Sequence, residues 1–198
     1  MRKITLLSAL VFGLIVGAAQ AQQLDVAFGA SGITSPNSLS SPSFSPQIIG
    51  GGTFLGFSAD VLLKHQLGVQ GEVNWRAKQN LWGGFQPFRP IFYDVNGIWA
   101  PRFGKRAGAE IMGGIGAESV RFYTGTISCS GFTGQCTDYQ SSNHFLAHVG
   151  GGLKLYVTHS FFIRPEVHAY FVRNNFEFTS PNVFREGISI GYTFRPED

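Results

Sequence analysis

The chain has 198 residues, of which only 14% are charged, and its formal net charge at pH 7 is +3. Ordinary globular proteins carry about 25% charged residues, whereas this chain is rich in Gly (26 residues) and Phe (19 residues). No run of Lys or Arg points to a nucleic-acid partner. The composition therefore argues against a DNA- or RNA-binding protein and favours a chain whose outer surface does not meet water.

The first residues have the three parts of a secretory signal. Arg2 and Lys3 precede an uncharged, mostly apolar run from Ile4 to Ala19, and the run ends in the small residues of AQA. This pattern predicts a cleaved signal peptide over residues 1–21. The run is too short for the alternative, an uncleaved anchor helix. A barrel domain over residues 22–194 and a polar tail over residues 195–198 complete the predicted organisation.

Eight segments then alternate strictly between two faces, as extended strands do. In HFLAHVGGGLKLYV (144–157) every odd position is apolar or Gly, and the even positions hold His144, His148 and Lys154. In the central part of all eight segments one face lacks any charged residue or His. The segments span residues 24–33, 53–62, 69–76, 91–100, 109–120, 144–157, 161–171 and 185–194.

The alternation leaves two architectures, which differ in the solvent that each face meets. A soluble barrel of the lipocalin type would turn the apolar face inward around a ligand. Its outer face would then have to be well charged, yet that face here is rich in Gly and includes Met112 and Phe162. In a membrane barrel the apolar face meets lipid, where a Lys or Arg costs about 2–4 kcal/mol. We therefore predict an all-β fold, an eight-stranded antiparallel up-and-down transmembrane β-barrel.

The connections between the segments support the same fold. Short joins, at residues 63–66, 101–108 and 158–160, alternate with long joins at 34–52, 77–90, 122–143 and 174–183. An up-and-down meander places all tight turns at one end and all long loops at the other, as outer-membrane barrels do. Both termini then lie at the tight-turn end. Pro165 in the seventh segment is tolerable because it lies close to a tight turn.

The polar faces of the strands predict a network inside the barrel. Its predicted members are Glu72, Arg76, Asp94, Glu110, Glu118, His148, Lys154, Arg164, Glu166, His168 and Arg185. We expect the run from Arg164 to Tyr170 to pair with Lys154 and His148 on one side and with Arg185 on the other. His144, His148, His168 and Glu166 could instead form a metal or catalytic cluster, but a hydrogen-bonded and ion-paired plug is favoured, and no cofactor is predicted.

Cys129 and Cys136 lie in one long polar join, CSGFTGQC. Disulfides persist in exported proteins, and this segment has no partner residue at zinc-site spacing. We therefore predict a disulfide that shapes a surface loop. Two free thiols or a metal pair remain as the alternatives.

The chain resembles the small outer-membrane barrel family, which is typified by the transmembrane domain of outer-membrane protein A and its adhesin relatives. The resemblance rests on the export signal, the eight short strands, the four long joins and the closing strand that ends in GISIGYTF. In that family the last strand ends in an aromatic residue that the barrel-assembly machinery recognises. The resemblance implies this role for Phe194, together with Tyr192 and Ile190. The tail RPED after Phe194 departs from the family pattern.

The predicted function is structural or surface-interacting rather than enzymatic. The predicted partners are outer-membrane lipid and lipopolysaccharide, the barrel-assembly machinery and an extracellular ligand at the long loops, and the chain is expected to be a monomer in the outer membrane. A small pore for ions or solutes is one alternative. A lipid-modifying enzyme is another. The lipid A deacylases of this shape carry a His followed by a Ser two residues later, and this chain has no such pair.

Overall fold

The computed structural model describes residues 23–35, 49–63, 66–129, 136–174, 178 and 181–194. The predicted signal peptide and the polar tail lie outside these residues and stay predictions. The described strands are β1 (Gln23–Thr34), β2 (Thr53–Leu62), β3 (Leu67–Arg76), β4 (Asn80–Trp82), β5 (Gln86–Trp99), β6 (Arg102–Phe103), β7 (Ala107–Cys129), β8 (Cys136–Tyr156), β9 (Phe161–Val172) and β10 (Asn182–Phe194).

Eight of these strands close into an antiparallel barrel. Around the barrel the order is β1, β2, β3, β5, β7, β8, β9 and β10, and β10 pairs again with β1. In the closing pair, Leu24 lies opposite Phe194 and Ile33 lies opposite Arg185. The start of β1 and the end of β10 therefore lie at the same end of the barrel. The predicted fold class and strand number are thus confirmed. Among the described residues there is no helix long and apolar enough to cross a membrane.

The two short strands extend the joins between barrel strands. β4 pairs with the start of β5 and β6 pairs with the start of β7. The turn between β6 and β7 contains Gly104 with a φ of +73°, a left-handed conformation that a residue with a Cβ adopts only at a cost. β4 therefore lies at the loop end of the barrel and β6 at the tight-turn end.

The strands present an apolar face outward. Large exposed side chains from every barrel strand form this surface, among them Phe28, Phe57, Val95, Ile115, Val149, Val167 and Ile190. The inward positions between them are buried and carry the charges. Charged side chains on the outer face of the described strands, Arg89, Arg121 and Glu186, occur towards the ends of the strands that meet the long loops. A lipid-facing band with a polar interior is the distribution that the sequence predicts.

One predicted loop is in fact a hairpin. Residues 122–143 were expected to form a loop, but β7 runs on to Cys129 and β8 begins at Cys136, with lengths of 23 and 21 residues. About 9–11 residues cross the apolar core of a membrane, so this hairpin projects well beyond the barrel wall. Its strands are rich in Ser, Thr and Tyr and lack an apolar face, because both of their faces lie outside the membrane. For that reason the alternation that reveals a membrane strand is missing there.

Apolar layers lie inside the barrel above and below its polar centre. At the loop end a buried cluster fills the lumen, formed by Ile33, Ile49, Phe54, Phe88, Phe92, Val120, Leu146, Tyr170, Val172, Phe178 and Val183. At the tight-turn end there are two smaller clusters, one around Ile98 and Met112 and one around Tyr156 and Phe162. The charged residues are therefore held between two apolar layers, which the sequence analysis did not foresee.

Candidate functional site

Lys154 on β8 holds together the half of the polar centre nearer to the tight turns. Its Nζ lies 2.8 Å from Asp25 Oδ2 and 3.0 Å from Asp60 Oδ2, and it also contacts Glu110 Oε2. The side chain is 3% exposed. Three carboxylates from β1, β2 and β7 thus converge on one cation. The expected pairing of Lys154 with the polar run of β9 is not what the structure shows. The ammonium instead crosses the lumen to Asp25 and Asp60 on β1 and β2 and also contacts Glu110 on the neighbouring strand β7.

Arg164 on β9 extends this cluster towards the centre. Its Nη1 donates to Glu110 Oε1 (2.9 Å), its Nε donates to Glu166 Oε2 (2.7 Å), and its Nη2 donates to Ser58 Oγ (2.9 Å). The five donors of a guanidinium suit a site with several acceptors in fixed directions. Arg164 therefore links β2 and β7, which are not neighbours in the barrel, to its own strand.

A chain of amide side chains then leads from these carboxylates to a histidine. Gln70 Nε2 donates to Asp60 Oδ1 (2.9 Å) and to Glu110 Oε1 (3.1 Å). Asn96 Nδ2 donates to Gln70 Oε1 (3.1 Å), and Asn96 Oδ1 lies 2.8 Å from His148 Nδ1. The orientation of each group is set by the one before it, since carboxylates only accept hydrogen bonds.

The histidines lie at the other end of this chain. His148 Nε2 is 2.9 Å from His168 Nδ1, and the two rings stack with centroids 5.1 Å apart. Arg185 Nη2 donates to Glu72 Oε1 (2.6 Å) and lies 3.5 Å from Glu166 Oε1. His148 and His168 are 1% and 3% exposed. This half of the centre therefore holds two aromatic bases, two acids and one arginine out of contact with solvent.

The remaining predicted members of the network lie at its margins. Asp94 Oδ1 is 3.3 Å from His148 Nδ1, so Asp94 adjoins the histidine pair. Arg76 lies near the loop end, with its guanidinium carbon 5.8 Å from the centre of the Phe88 ring. Glu118 is fully buried on β7 and is paired in register with His144. The structure thus brings most of the predicted residues into one network, and places Arg76, Glu118 and His144 closer to the loops.

Several members of the network escaped the sequence analysis because they are uncharged. Ser58, Gln70, Asn96 and Ser189 are buried and bonded to charged groups. Each lies on the same alternating face as the predicted acids and bases. Asp25 and Asp60 are charged and bind Lys154, yet they too are absent from the predicted network. All of these residues lie on the inward face, so that face would have been a sufficient signal.

A serine and a histidine also meet near the loop end. Ser142 Oγ lies 3.0 Å from His144 Nε2. In the lipid A deacylases of this shape, a His is followed by a Ser two positions later. Here the Ser comes first, so the order along β8 is reversed. Glu118 on β7 is paired in register with His144. A serine hydroxyl, an imidazole and a carboxylate are the residue types of a nucleophile, a base and an acid.

The shape of the whole chain can be compared with solved structures. The N-terminal β-barrel domain of OprF from Pseudomonas aeruginosa has a TM-score of 0.56 and 12% identity, over 88% of this chain and 98% of that chain. Ail, the attachment invasion locus protein of Yersinia pestis, in complex with the heparin analogue sucrose octasulfate, has a TM-score of 0.53 and 14% identity, over 87% of this chain and 98% of that chain.

Neisserial surface protein A has a TM-score of 0.54 and 11% identity, over 88% of this chain and 96% of that chain. The fold is that of a small outer-membrane β-barrel. This agreement, together with the outward apolar band, supports the predicted location in the outer membrane. No protein-family model matches the chain, and no curated protein matches it by sequence. The disulfide predicted between Cys129 and Cys136 is present at the far end of the β7–β8 hairpin.

Proposed function

We propose that this chain is a closed, non-enzymatic outer-membrane barrel that presents its long loops and the β7–β8 hairpin to an extracellular ligand. In this arrangement the tight turns, the start of β1 and the end of β10 face the periplasm. The barrel wall and its interior serve as a rigid support, and recognition belongs to the loop end. Loops on a rigid scaffold are where binding residues concentrate in proteins.

The filled lumen is the observation that carries the proposal. Among the described residues, the cavity between Gly29, Ser58, Glu72 and Arg164 has a volume of about 10 Å³. That is roughly the space one water molecule needs. Apolar layers with Phe92 at one end and Met112 at the other add no polar path for a hydrated ion. An eight-stranded barrel is just wide enough for side chains to fill it, which agrees with a plug rather than a pore.

Conductance in planar bilayers tests the closed lumen. The purified barrel should give no steady channels at salt concentrations at which a known porin conducts. The variants Glu110→Gln and Lys154→Met should be equally silent if the apolar layers seal the lumen. Steady conductance in the unaltered protein that changes in either variant would overturn the proposal in favour of a small pore.

The projecting hairpin is the main candidate for the recognition surface. Counted along β8 from Ser142 to Cys136, at about 3.4 Å per residue, it reaches roughly 20 Å beyond the barrel. Arg121 at its base lies with its guanidinium carbon 4.8 Å from the centre of the Tyr139 ring. Cys129 and Cys136 fix its far end. A stiff hairpin with an arginine and aromatic rings is typical of a binding surface.

The outer face at the base of the hairpin favours an anionic ligand. Arg89 and Arg121 face the same side and are paired directly across β5 and β7, and like charges in this position repel. A bound sulfate or phosphate group would relieve that repulsion. Lipopolysaccharide and sulfated glycans both offer such groups, and the solved structure of Ail contains a sulfated heparin analogue.

Binding to vesicles that contain lipopolysaccharide and to immobilised heparin distinguishes these two sources. Arg89→Gln with Arg121→Gln should weaken the relevant binding several-fold, and Lys105→Gln in the tight turn of the opposite end should leave it unchanged. Equal binding by all three proteins would remove the arginine pair from the proposal. Proteolysis on intact cells should cut at the hairpin and spare Lys105, and the reverse pattern would invert the orientation.

The Ser142–His144 contact favours one second candidate function, an acyl hydrolase at the loop end. In that function Ser142 Oγ would attack an ester carbonyl while His144 takes its proton, and the ester C–O bond would break as His144 gives that proton to the leaving alcohol. Water would then hydrolyse the acyl-serine and restore Ser142. A fluorophosphonate probe labels a serine activated in this way. Labelling that Ser142→Ala abolishes would show an activated serine and favour the hydrolase, and the absence of labelling would support the non-enzymatic barrel.

A further inference from the structure

We propose that His148, His168 and Glu72 bind a divalent transition-metal ion inside the barrel, with zinc as the reference ion. The three ligand atoms that these residues offer lie within 4.8 Å of one another, and all three residues are buried. His148 Nε2 and His168 Nδ1 are 2.9 Å apart, and Glu72 Oε2 is 4.0 Å from His168 Nδ1. This site goes beyond the proposed surface function and uses none of the loop residues.

The hydrogen-bond chain through Gln70 and Asn96 determines which nitrogen of His148 is free. Both oxygens near His148 Nδ1, Asn96 Oδ1 at 2.8 Å and Asp94 Oδ1 at 3.3 Å, are acceptors. The Asn96 amide cannot be turned over, because its Nδ2 already donates to Gln70 Oε1. His148 Nδ1 therefore carries the hydrogen, and in the neutral ring Nε2 has a lone pair that points towards His168. Ligating histidines usually have this kind of partner on the second nitrogen.

The contact between the two rings marks the place of the ion. With the hydrogen of His148 on Nδ1, the 2.9 Å separation of His148 Nε2 and His168 Nδ1 is that of a hydrogen bond donated by His168 Nδ1 to the His148 Nε2 lone pair. A metal ion would take the place of this hydrogen and bind a lone pair of each ring. His168 would then carry its hydrogen on Nε2, which lies 3.7 Å from Glu166 Oε1.

Glu72 adds an oxygen that has no other role. Its Oε1 accepts from Arg185 Nη2 at 2.6 Å, which fixes the carboxylate plane. Among the described residues, Glu72 Oε2 has no hydrogen-bond partner although it is buried. A buried carboxylate oxygen without a partner has lost its hydration without compensation, and a metal ion next to the histidine pair would satisfy it.

The charge balance of the interior also calls for a cation. Among the described residues, seven buried carboxylates face four buried cationic side chains. The acids are Asp25, Asp60, Glu72, Asp94, Glu110, Glu118 and Glu166, and the cations are Arg76, Lys154, Arg164 and Arg185. Uncompensated negative charge in a low-dielectric interior is costly. One divalent ion would remove two of the three excess charges.

Gly150 on β8 lets the two ring nitrogens approach each other. A Cβ at this position would be 2.5 Å from His168 Nδ1 and 3.2 Å from His148 Nε2. Any side chain larger than hydrogen would therefore displace the rings, and glycine keeps both nitrogens in the positions from which they could share an ion.

The donor set indicates the class of metal. Two imidazole nitrogens and one carboxylate form a ligand set used by zinc, and imidazole also suits copper and nickel. Ligands bound at about 2.0–2.1 Å in a tetrahedral site are about 3.3 Å apart. The two nitrogens would have to separate by only a few tenths of an ångström. Calcium and magnesium prefer oxygen ligands and should bind poorly.

Metal loading of the folded full-length chain tests the site. The chain is unfolded in urea with EDTA, refolded in detergent with Zn²⁺ or Co²⁺, passed through a desalting column and analysed by mass spectrometry for metal content. We expect one ion per folded chain, and a Co²⁺ absorption spectrum typical of nitrogen-rich tetrahedral coordination. His168→Gln and Glu72→Gln should each reduce affinity about 100-fold, and Asn96→Ala should reduce it about 10-fold to 100-fold.

The matched control is His144→Gln, which alters another inward histidine of the same strand and should keep full metal content. Each variant is first checked for barrel formation by its gel migration before and after heating. If a ligand variant does not fold, the ¹⁵N resonances of the histidines in the unaltered protein decide the question. Metal content below one-tenth of an ion per folded chain would overturn the proposal. In the unaltered protein with Zn²⁺, ¹⁵N resonances that keep the hydrogen on His168 Nδ1 would overturn it as well, because the hydrogen bond to His148 would then occupy the place of the metal.

Discussion

Removing the ammonium of Lys154 should destabilise the barrel more than any change of a surface charge. Lys154 Nζ lies 2.8 Å from Asp25 Oδ2, 3.0 Å from Asp60 Oδ2 and in contact with Glu110. In Lys154→Met the volume is nearly kept but three buried carboxylates lose their common partner. Arg164 still contacts Asp60 and Glu110, so the loss of the ammonium affects Asp25 most. Breaking a buried ion pair from one side costs about 3–5 kcal/mol, and we expect a loss in this range.

Urea unfolding of the barrel in lipid vesicles measures the effect. With a denaturant dependence of about 1–3 kcal/mol per molar urea, the midpoint should fall by at least about 1 M. Lys105→Met, at an exposed turn position, is the matched control and should change stability by less than about 0.5 kcal/mol. Adding Glu110→Gln to Lys154→Met should cost less than the sum of the two single changes. A loss below about 1 kcal/mol for Lys154→Met would refute the reasoning, since the carboxylates would then not be charged in the folded barrel.

Two further changes test the crowded interior and the lipid-facing surface. Gly116→Ala should cost about 1–3 kcal/mol by overpacking, because the new Cβ would lie 2.1 Å from the backbone oxygen of Tyr93. In the control Gly71→Ala the new Cβ would have no atom within 4 Å, so stability should not change in the same unfolding assay. Equal effects of the two changes would contradict the crowded interior. Val149→Arg should cost about 2–4 kcal/mol in a bilayer, whereas Ile127→Arg on the projecting hairpin should leave stability unchanged. If Val149→Arg does not lower stability, water and not lipid lies against the outer face of β8.

The positions of the membrane strands could be predicted because the membrane imposes a simple rule on them. A residue such as Val149 must be apolar and its neighbour His148 must face inward, so a period of two survives in the sequence of each barrel strand. The β7–β8 hairpin beyond Val120 is free of that rule, since water surrounds both of its faces. Its strands were therefore expected to be a loop, and only the register from Val120–Ser142 to Cys129–Cys136 reveals them.

The sequence by itself determined the number of barrel strands, the face of each strand that meets lipid, and the set of residues that share the interior. It could do so because these properties depend on neighbours along the chain. Tertiary structure alone decided which interior groups meet, as when Lys154 reaches Asp25 across the lumen rather than a neighbour on β9. It also decided that the free oxygen of Glu72 lies beside the histidine pair, although the pairing of His148 with the run that contains His168 was expected from the sequence. Those contacts depend on the diameter of the closed barrel and on the stagger of its strands, and no local pattern in the sequence records either quantity.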